Sequence, residues 1–208
     1  MQERFVINIG RQFGSGGKSI GEHLARRFGI RLYDKELINL AAEESGFAVE
    51  HFEQADEHKR KGWLQHLVST LRTSYVGSSN PISGDALFQI QSDVIRRVAE
   101  RESCIFVGRC ADYILRDHPR CVNLFLTADD ADRISRITAR TGCTADEART
   151  LMERIDARRA NYYNYYSSRT WGVAATYDLT INTSRLGEEA STELILAFVA
   201  RKLNLPQP

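Results

Sequence analysis

The string GRQFGSGGKS, residues 10–19, constrains this chain more than any other stretch, because of what flanks it. Before it, RFVINI is a short β-rich run ending at glycine; after it, KSIGEHLARRFGI spaces Ile20, Leu24 and Phe28 four apart, as on one helix face, before Gly29. Strand, glycine-rich turn and helix in that order predict a β-α unit whose turn opens at the carboxyl end of a strand, where α/β sheets bind ligands. The string resembles the phosphate-binding pattern G-x-x-x-x-G-K-[ST], except that Gln12 stands where the first glycine belongs. Glutamine tolerates positive φ poorly, so Gly14 is expected to take over that freedom two residues later. Gln12, Phe13, Gly14, Ser15, Gly16, Gly17, Lys18 and Ser19 together form the candidate phosphate cradle. Its backbone amides and helix N-terminus would face phosphate oxygens, Lys18 would reach the β- and γ-phosphates of ATP, and Ser19 would ligate Mg²⁺.

Beyond the first unit, apolar runs alternate with helical patterns along the chain. A strand at residues 30–34 leads into helical residues 35–46, and a polar helical pattern over residues 47–71 precedes TSYVGSSNPISG, an expected exposed loop. Further strands are predicted at residues 104–108, 121–127 and 178–183, with helices between and after them. Asp85 is a candidate N-cap, and Thr144 with Glu147 three residues on reads as a capping box. Helices alternating with strands at crossover spacing predict an α/β fold, a five-stranded and mainly parallel sheet with helices on both faces. A chain of 208 residues fits one such domain with a small lid.

Composition narrows the class of function. The net charge of +1 argues against a nucleic-acid partner, and no apolar run approaches the roughly 18 residues of a membrane span, so a cytoplasmic protein is expected. The four cysteines, Cys104, Cys110, Cys121 and Cys143, have no C-x-x-C pair and predict reduced thiols. Charge distribution says more. Between Arg133 and Arg169 eight arginines face four acids and no lysine, a local excess of 8 − 4 = +4, which suits bidentate recognition of phosphate. The competing reading is a salt-bridged helix face, with Glu153 and Asp156 in reach of Arg149, Arg154 and Arg159.

Three strings, INIGRQFGSGGKSIGEHLARRFGIRLYDKELI, IFVGRCADYILRD and IDARRANYYNYYSSRTWGVAATYDLTINTSRLG, together resemble the cytidylate-kinase-like family of P-loop proteins. In that family the loop typically reads G/S-R-Q-[FY]-G-S-G-G, so the resemblance implies that Gln12 is a family feature. It further implies a three-layer P-loop NTPase core, a helical acceptor-binding insertion at about residues 35–84 and an arginine-rich lid at about residues 140–172. The implied reaction is transfer of the ATP γ-phosphoryl, with Mg²⁺, to a nucleoside monophosphate such as CMP or dCMP, by a monomer or homodimer.

Position by position, the GR of VGRCAD implies that Arg109 contacts the acceptor phosphate, with Asp112 one turn later as its orienting partner or a surface acid. Asp34 falls beside the acceptor site, although Lys35, Glu36 and Leu37 replace the small residues that follow in true cytidylate kinases. Asp156 and Arg159 fit the D-x-x-R spacing of the lid, and Arg154, Arg158 and Arg159 are the candidate catalytic arginines. Thr183 and Ser184 would pass near the nucleotide base. No acidic residue ends the strand IFVGR, which leaves Asp34 as the acid nearest the metal. NYYNYY and Trp171 depart from the family's lid and read as packing on the core, or as a base-stacking or dimer surface. Two other functions fit the same residues: a nucleotide-binding regulator without efficient transfer, and a kinase with a non-nucleotide acceptor.

Overall fold

The structure, a computed structural model, describes residues 4–34 and 84–206. Five parallel strands, β1 (Val6–Arg11), β2 (Arg31–Tyr33), β3 (Cys104–Val107), β4 (Cys121–Thr127) and β5 (Leu179–Asn182), form one sheet in the order β2-β3-β1-β4-β5. β1 is central, pairing Ile7 with Ile105 of β3 and with Val122 of β4. Strands buried on both faces should be apolar without strict alternation. Val6, Ile7, Ile9 and all of β3 are buried accordingly.

Alternate residues of these strands point to opposite faces, and each face has its own core. On one, Val6 and Phe106 pack with Val94, Ile95 and Val98 of α2 (Gly84–Arg101), with α3 (Ala111–Ile114), and with Tyr163 of α5 (Ala145–Ser167). On the other, Ile7, Ile9 and Ile105 pack with Ile20 and Leu24 of α1 (Gly17–Phe28) and with Ile195 and Val199 of α6 (Thr183–Leu203). The result is helix, sheet, helix. A third, smaller cluster joins Ile137 of α4 (Asp130–Thr141) to Ala148 and Met152 of α5, with Phe13 of the glycine-rich turn against it.

Local signals in the sequence end the helices as expected. Gly29 and Gly142 take left-handed C-caps, and Thr144 makes the capping box with Glu147 at the start of α5. Strand ends are trimmed slightly, to residues 31–33, 104–107 and 179–182. The all-parallel sheet is the α/β three-layer arrangement that alternation predicts. Asp85 lies within the first turn of α2. The helical pattern and the serine- and proline-rich loop read at residues 35–83 lie outside the described residues, as does nearly all of the expected acceptor insertion. None of the described helices is long and apolar enough to cross a membrane.

Candidate active site

The glycine-rich turn runs from the end of β1 into α1, so the residue at Gln12 decides how the chain leaves the sheet. Gln12 does not need positive φ: Gly14 (φ +82) and Gly16 (φ +79) carry it. Gln12 is instead tied to the neighbouring strand, its amide donating to the Leu126 carbonyl at 2.9 Å and its side-chain Oε1 accepting from the Ala128 amide at 3.3 Å. Its own carbonyl accepts from Ser15 Oγ at 2.9 Å, closing the turn. A side chain at Gly16 would meet Glu188 Oε1 at 2.5 Å, and one at Gly17 would meet Arg11 Cβ at 2.7 Å. Gly17 is therefore held to glycine by the Arg11 stem, and Gly16 by its positive φ.

The turn's carbonyls are held from outside by arginines of α4 and α5. Arg133, buried in α4, donates from Nε to the Phe13 carbonyl at 2.8 Å, and Arg136 donates to the Gly14 carbonyl at 3.1 Å. Arg159 of α5 donates to the Arg11 carbonyl at 3.1 Å, and the Thr183 hydroxyl donates to the Ser15 carbonyl at 2.9 Å. With its carbonyls drawn outward, the backbone between them is fixed. Asp156 completes the clamp, accepting from the Phe13 amide at 2.8 Å while paired with Arg133 and standing 3.7 Å from Arg159. Burial raises the Asp156 pKa, opposed by the Phe13 amide and the two guanidinium groups. Arg140 and Arg159 flank the Phe13 ring at 4.9 and 5.6 Å.

Four cationic residues converge on the carboxyl ends of β1 and β3. Lys18 is exposed and pairs with Asp34 at 3.3 Å. The Arg11 guanidinium lies against Gly108, and the positive charges of Arg159 and Arg109 act on it. Gly108, Arg109 and Cys110 all have positive φ, a sharp turn that sets the Arg109 guanidinium 5.2 Å from the centre of the Tyr162 ring. The two acids near this cluster are already engaged, Asp34 with Lys18 and Asp156 with the turn. Such a concentration of guanidinium groups beside a glycine-rich turn at a helix N-terminus fits a polyphosphate. Ser19 follows Lys18 in the first turn of α1.

The structure separates the expected lid residues. Met152, Asp156, Arg159 and Tyr163, at spacings of four, three and four, share the face of α5 that meets the turn and the core. Arg154 and Arg158 are exposed off that face, Arg154 beside a shallow depression with Asp146, Glu147 and Leu151. Of the three candidate catalytic arginines, Arg159 alone meets the turn here. Asp112 is buried and accepts from the Tyr163 hydroxyl at 2.6 Å, so neither surface exposure nor a bond to Arg109 describes it. Thr183 is buried under the turn.

Arg11, Arg133 and Arg136 were not among the expected site residues. Arg11 carries a signal in the sequence, its place inside the glycine-rich string; the two helix arginines carry none, because charge spacing on α4 suits a solvated face equally well.

The sequence profile of the cytidylate kinase-like family matches residues 6–185. The chain belongs to the cytidylate kinase-like family. It is thereby a phosphotransferase, and it is similar to the cytidylate kinase of Methanopyrus kandleri, 26% identical over 98% of this chain and 97% of that one. The crystal structure of an uncharacterized protein from Eubacterium ventriosum superposes with a TM-score of 0.73 at 27% identity, covering 94% of this chain and 98% of that one. A shikimate kinase from Bacteroides thetaiotaomicron, 15% identical with a TM-score of 0.52 over 94% of this chain and 98% of its own, shares the fold.

Proposed function

We propose that this cytidylate kinase-like protein catalyses ATP-dependent phosphoryl transfer to a nucleoside monophosphate, with CMP or dCMP as the acceptor. The observation that carries this reading is the convergence of Lys18, Arg11, Arg109 and Arg159 beside the glycine-rich turn that leads from β1 into α1. Similarity to a cytidylate kinase along nearly the whole chain supports the choice of acceptor. ATP supplies the transferable phosphoryl group, and Mg²⁺ lowers the charge that the site must neutralise.

The residues then divide the work. The amides of the turn and Lys18 bind the donor phosphates, and Ser19 holds the cation. Arg109, steadied on Tyr162, binds the acceptor phosphate beyond the end of β3. Arg159 stands where charge spreads during transfer, and guanidinium groups fixed there stabilise it without reorganising. A phosphate acceptor is already an anionic nucleophile, so no general base is required. Asp34 releases Lys18 when phosphates compete for the ammonium.

The test is steady-state transfer from ATP to CMP, dCMP, UMP and AMP, with Lys18→Ala as the control. Turnover with the cytidylates, and a loss of roughly 100-fold or more in the variant, is expected. Saturable ATP binding without turnover on any nucleotide would reject nucleotide transfer and favour a non-nucleotide acceptor or a regulatory role.

A further inference from the structure

The Arg11 side chain is built into the site in a way that the binding of donor phosphates by the turn does not explain. It starts beneath the turn, where its Cβ and Cγ lie 2.7 and 2.9 Å from the position a Gly17 Cβ would take. It ends against Gly108, where any Cβ would run into the guanidinium. Glycines at the start of α1 and just after β3 thus leave the channel it occupies. One end of that channel is the turn, and the other is the Gly108–Arg109 bend.

Among the described residues its charge has no ion-pair partner. The Arg11 side chain makes no hydrogen bond among them either, although a guanidinium carries several N–H donors. The neighbouring cations are Arg159 and Arg109, and the nearby acids, Asp34 and Asp156, are occupied with Lys18 and with Arg133. Burial first, then Arg159 and Arg109, pull its pKa down to about 9. Arginine keeps its proton at neutral pH, so this is a cost of holding charge there in the absence of an anion.

We propose that Arg11 is a catalytic residue whose guanidinium contacts the phosphoryl group in flight, between the amides of the turn and Arg109. This rests on the phosphotransfer reading. In the step, an acceptor phosphate oxygen bonds to the transferred phosphorus while the bond from that phosphorus to the bridging oxygen of the donor breaks. The electron pair leaves with the diphosphate. Arg11 neither gains nor loses a proton; it binds the equatorial oxygens as their charge redistributes.

A structural arginine and a catalytic one predict opposite behaviour of Arg11→Met. Removing an uncompensated cation from a crowded cationic site should leave the ligand-free unfolding temperature unchanged or higher, as at sites where function is kept against stability. The variant should bind ADP within about threefold of the unsubstituted protein and lose roughly 1000-fold in turnover. Tetrafluoroaluminate, which mimics the transferring group, should tighten ADP binding in the unsubstituted protein and fail to do so in Arg11→Met. Arg11→Lys should fold, bind ADP and recover only part of the turnover, because an ammonium lacks the planar fork. A lower ligand-free unfolding temperature in both variants, with tetrafluoroaluminate still tightening ADP binding, would overturn the proposal; so would Arg11→Met turning over as the unsubstituted protein does. If the unsubstituted protein transfers to no acceptor, the phosphotransfer reading falls. Preferential stabilisation of it over Arg11→Met by pyrophosphate would then still establish the anion contact, and equal stabilisation would remove it.

Discussion

At the scale of single residues, the ion pair of Arg133 and Asp156 decides the shape of the turn. Arg133 is 4% exposed and reaches both the Phe13 carbonyl and the Asp156 carboxylate, while that carboxylate holds the Phe13 amide. Removing one partner strands the other in a buried position. Arg133→Met is therefore expected to cost about 3 kcal/mol of stability, read from denaturant unfolding midpoints. Asp112 makes a second prediction. Burial raises its pKa above the usual carboxylate value, with the Tyr163 hydroxyl, Arg169 and backbone amides opposing. The folded state then holds the proton more tightly than the unfolded state, so the stability Asp112 contributes is present at acid pH and lost as pH rises through its folded value. Asp112→Asn does not titrate; relative to the unsubstituted protein it should be more stable at pH 7 than at pH 4 in thermal unfolding.

At the scale of elements, α5 is a strut that ties the turn to the opposite core. Its first turn is closed by the Thr144–Glu147 box, its middle carries Asp156 and Arg159 to the glycine-rich turn, and its last turns rest on α2 and α3. There Tyr162 donates to Gln91 at 3.0 Å, Tyr163 donates to Asp112, and Tyr166 stacks on Phe88 with ring centres 4.0 Å apart. Three of the four tyrosines in NYYNYY are thus packing groups, and Tyr165 is exposed. Thr144→Ala should cost about 1 kcal/mol through loss of the cap alone, measured by chemical unfolding, because Thr144 touches neither turn nor core. The capping box was legible in the sequence because it is a local bond across three residues. The inward face of α5 was not, since arginines at 149, 154, 158 and 159 surround the helix and only its packing selects Arg159.

At the scale of the whole molecule, the fold holds a cluster of cations together that the ligand-free protein only partly neutralises. Anything that binds the folded state alone stabilises it by mass action, so ATP with Mg²⁺ at about 100 times its dissociation constant should add about 2.7 kcal/mol. Thermal unfolding with and without nucleotide checks this, and Lys18→Ala should lose most of the increment. The two cores on opposite faces of the sheet explain how such a site is tolerated: the packing of α1 and α6 on one side and α2 and α5 on the other fixes the strand ends regardless of the charge crowded above them.

Some of this was written in the chain itself. Alternating apolar runs and helical patterns dictate a parallel sheet, because a strand buried on both faces and followed by a long crossover has few other arrangements. The order of strand, GRQFGSGGKS and helix likewise places the turn and assigns the positive φ to Gly14, since both are local backbone requirements. Tertiary structure alone decided which charged side chains serve the turn. Phe13 and Asp156 are 143 positions apart, and Arg11 meets Gly108 only because β1 and β3 are neighbours in the sheet. Helical periodicity records which face is apolar, whereas an arginine's role depends on what the fold sets opposite it.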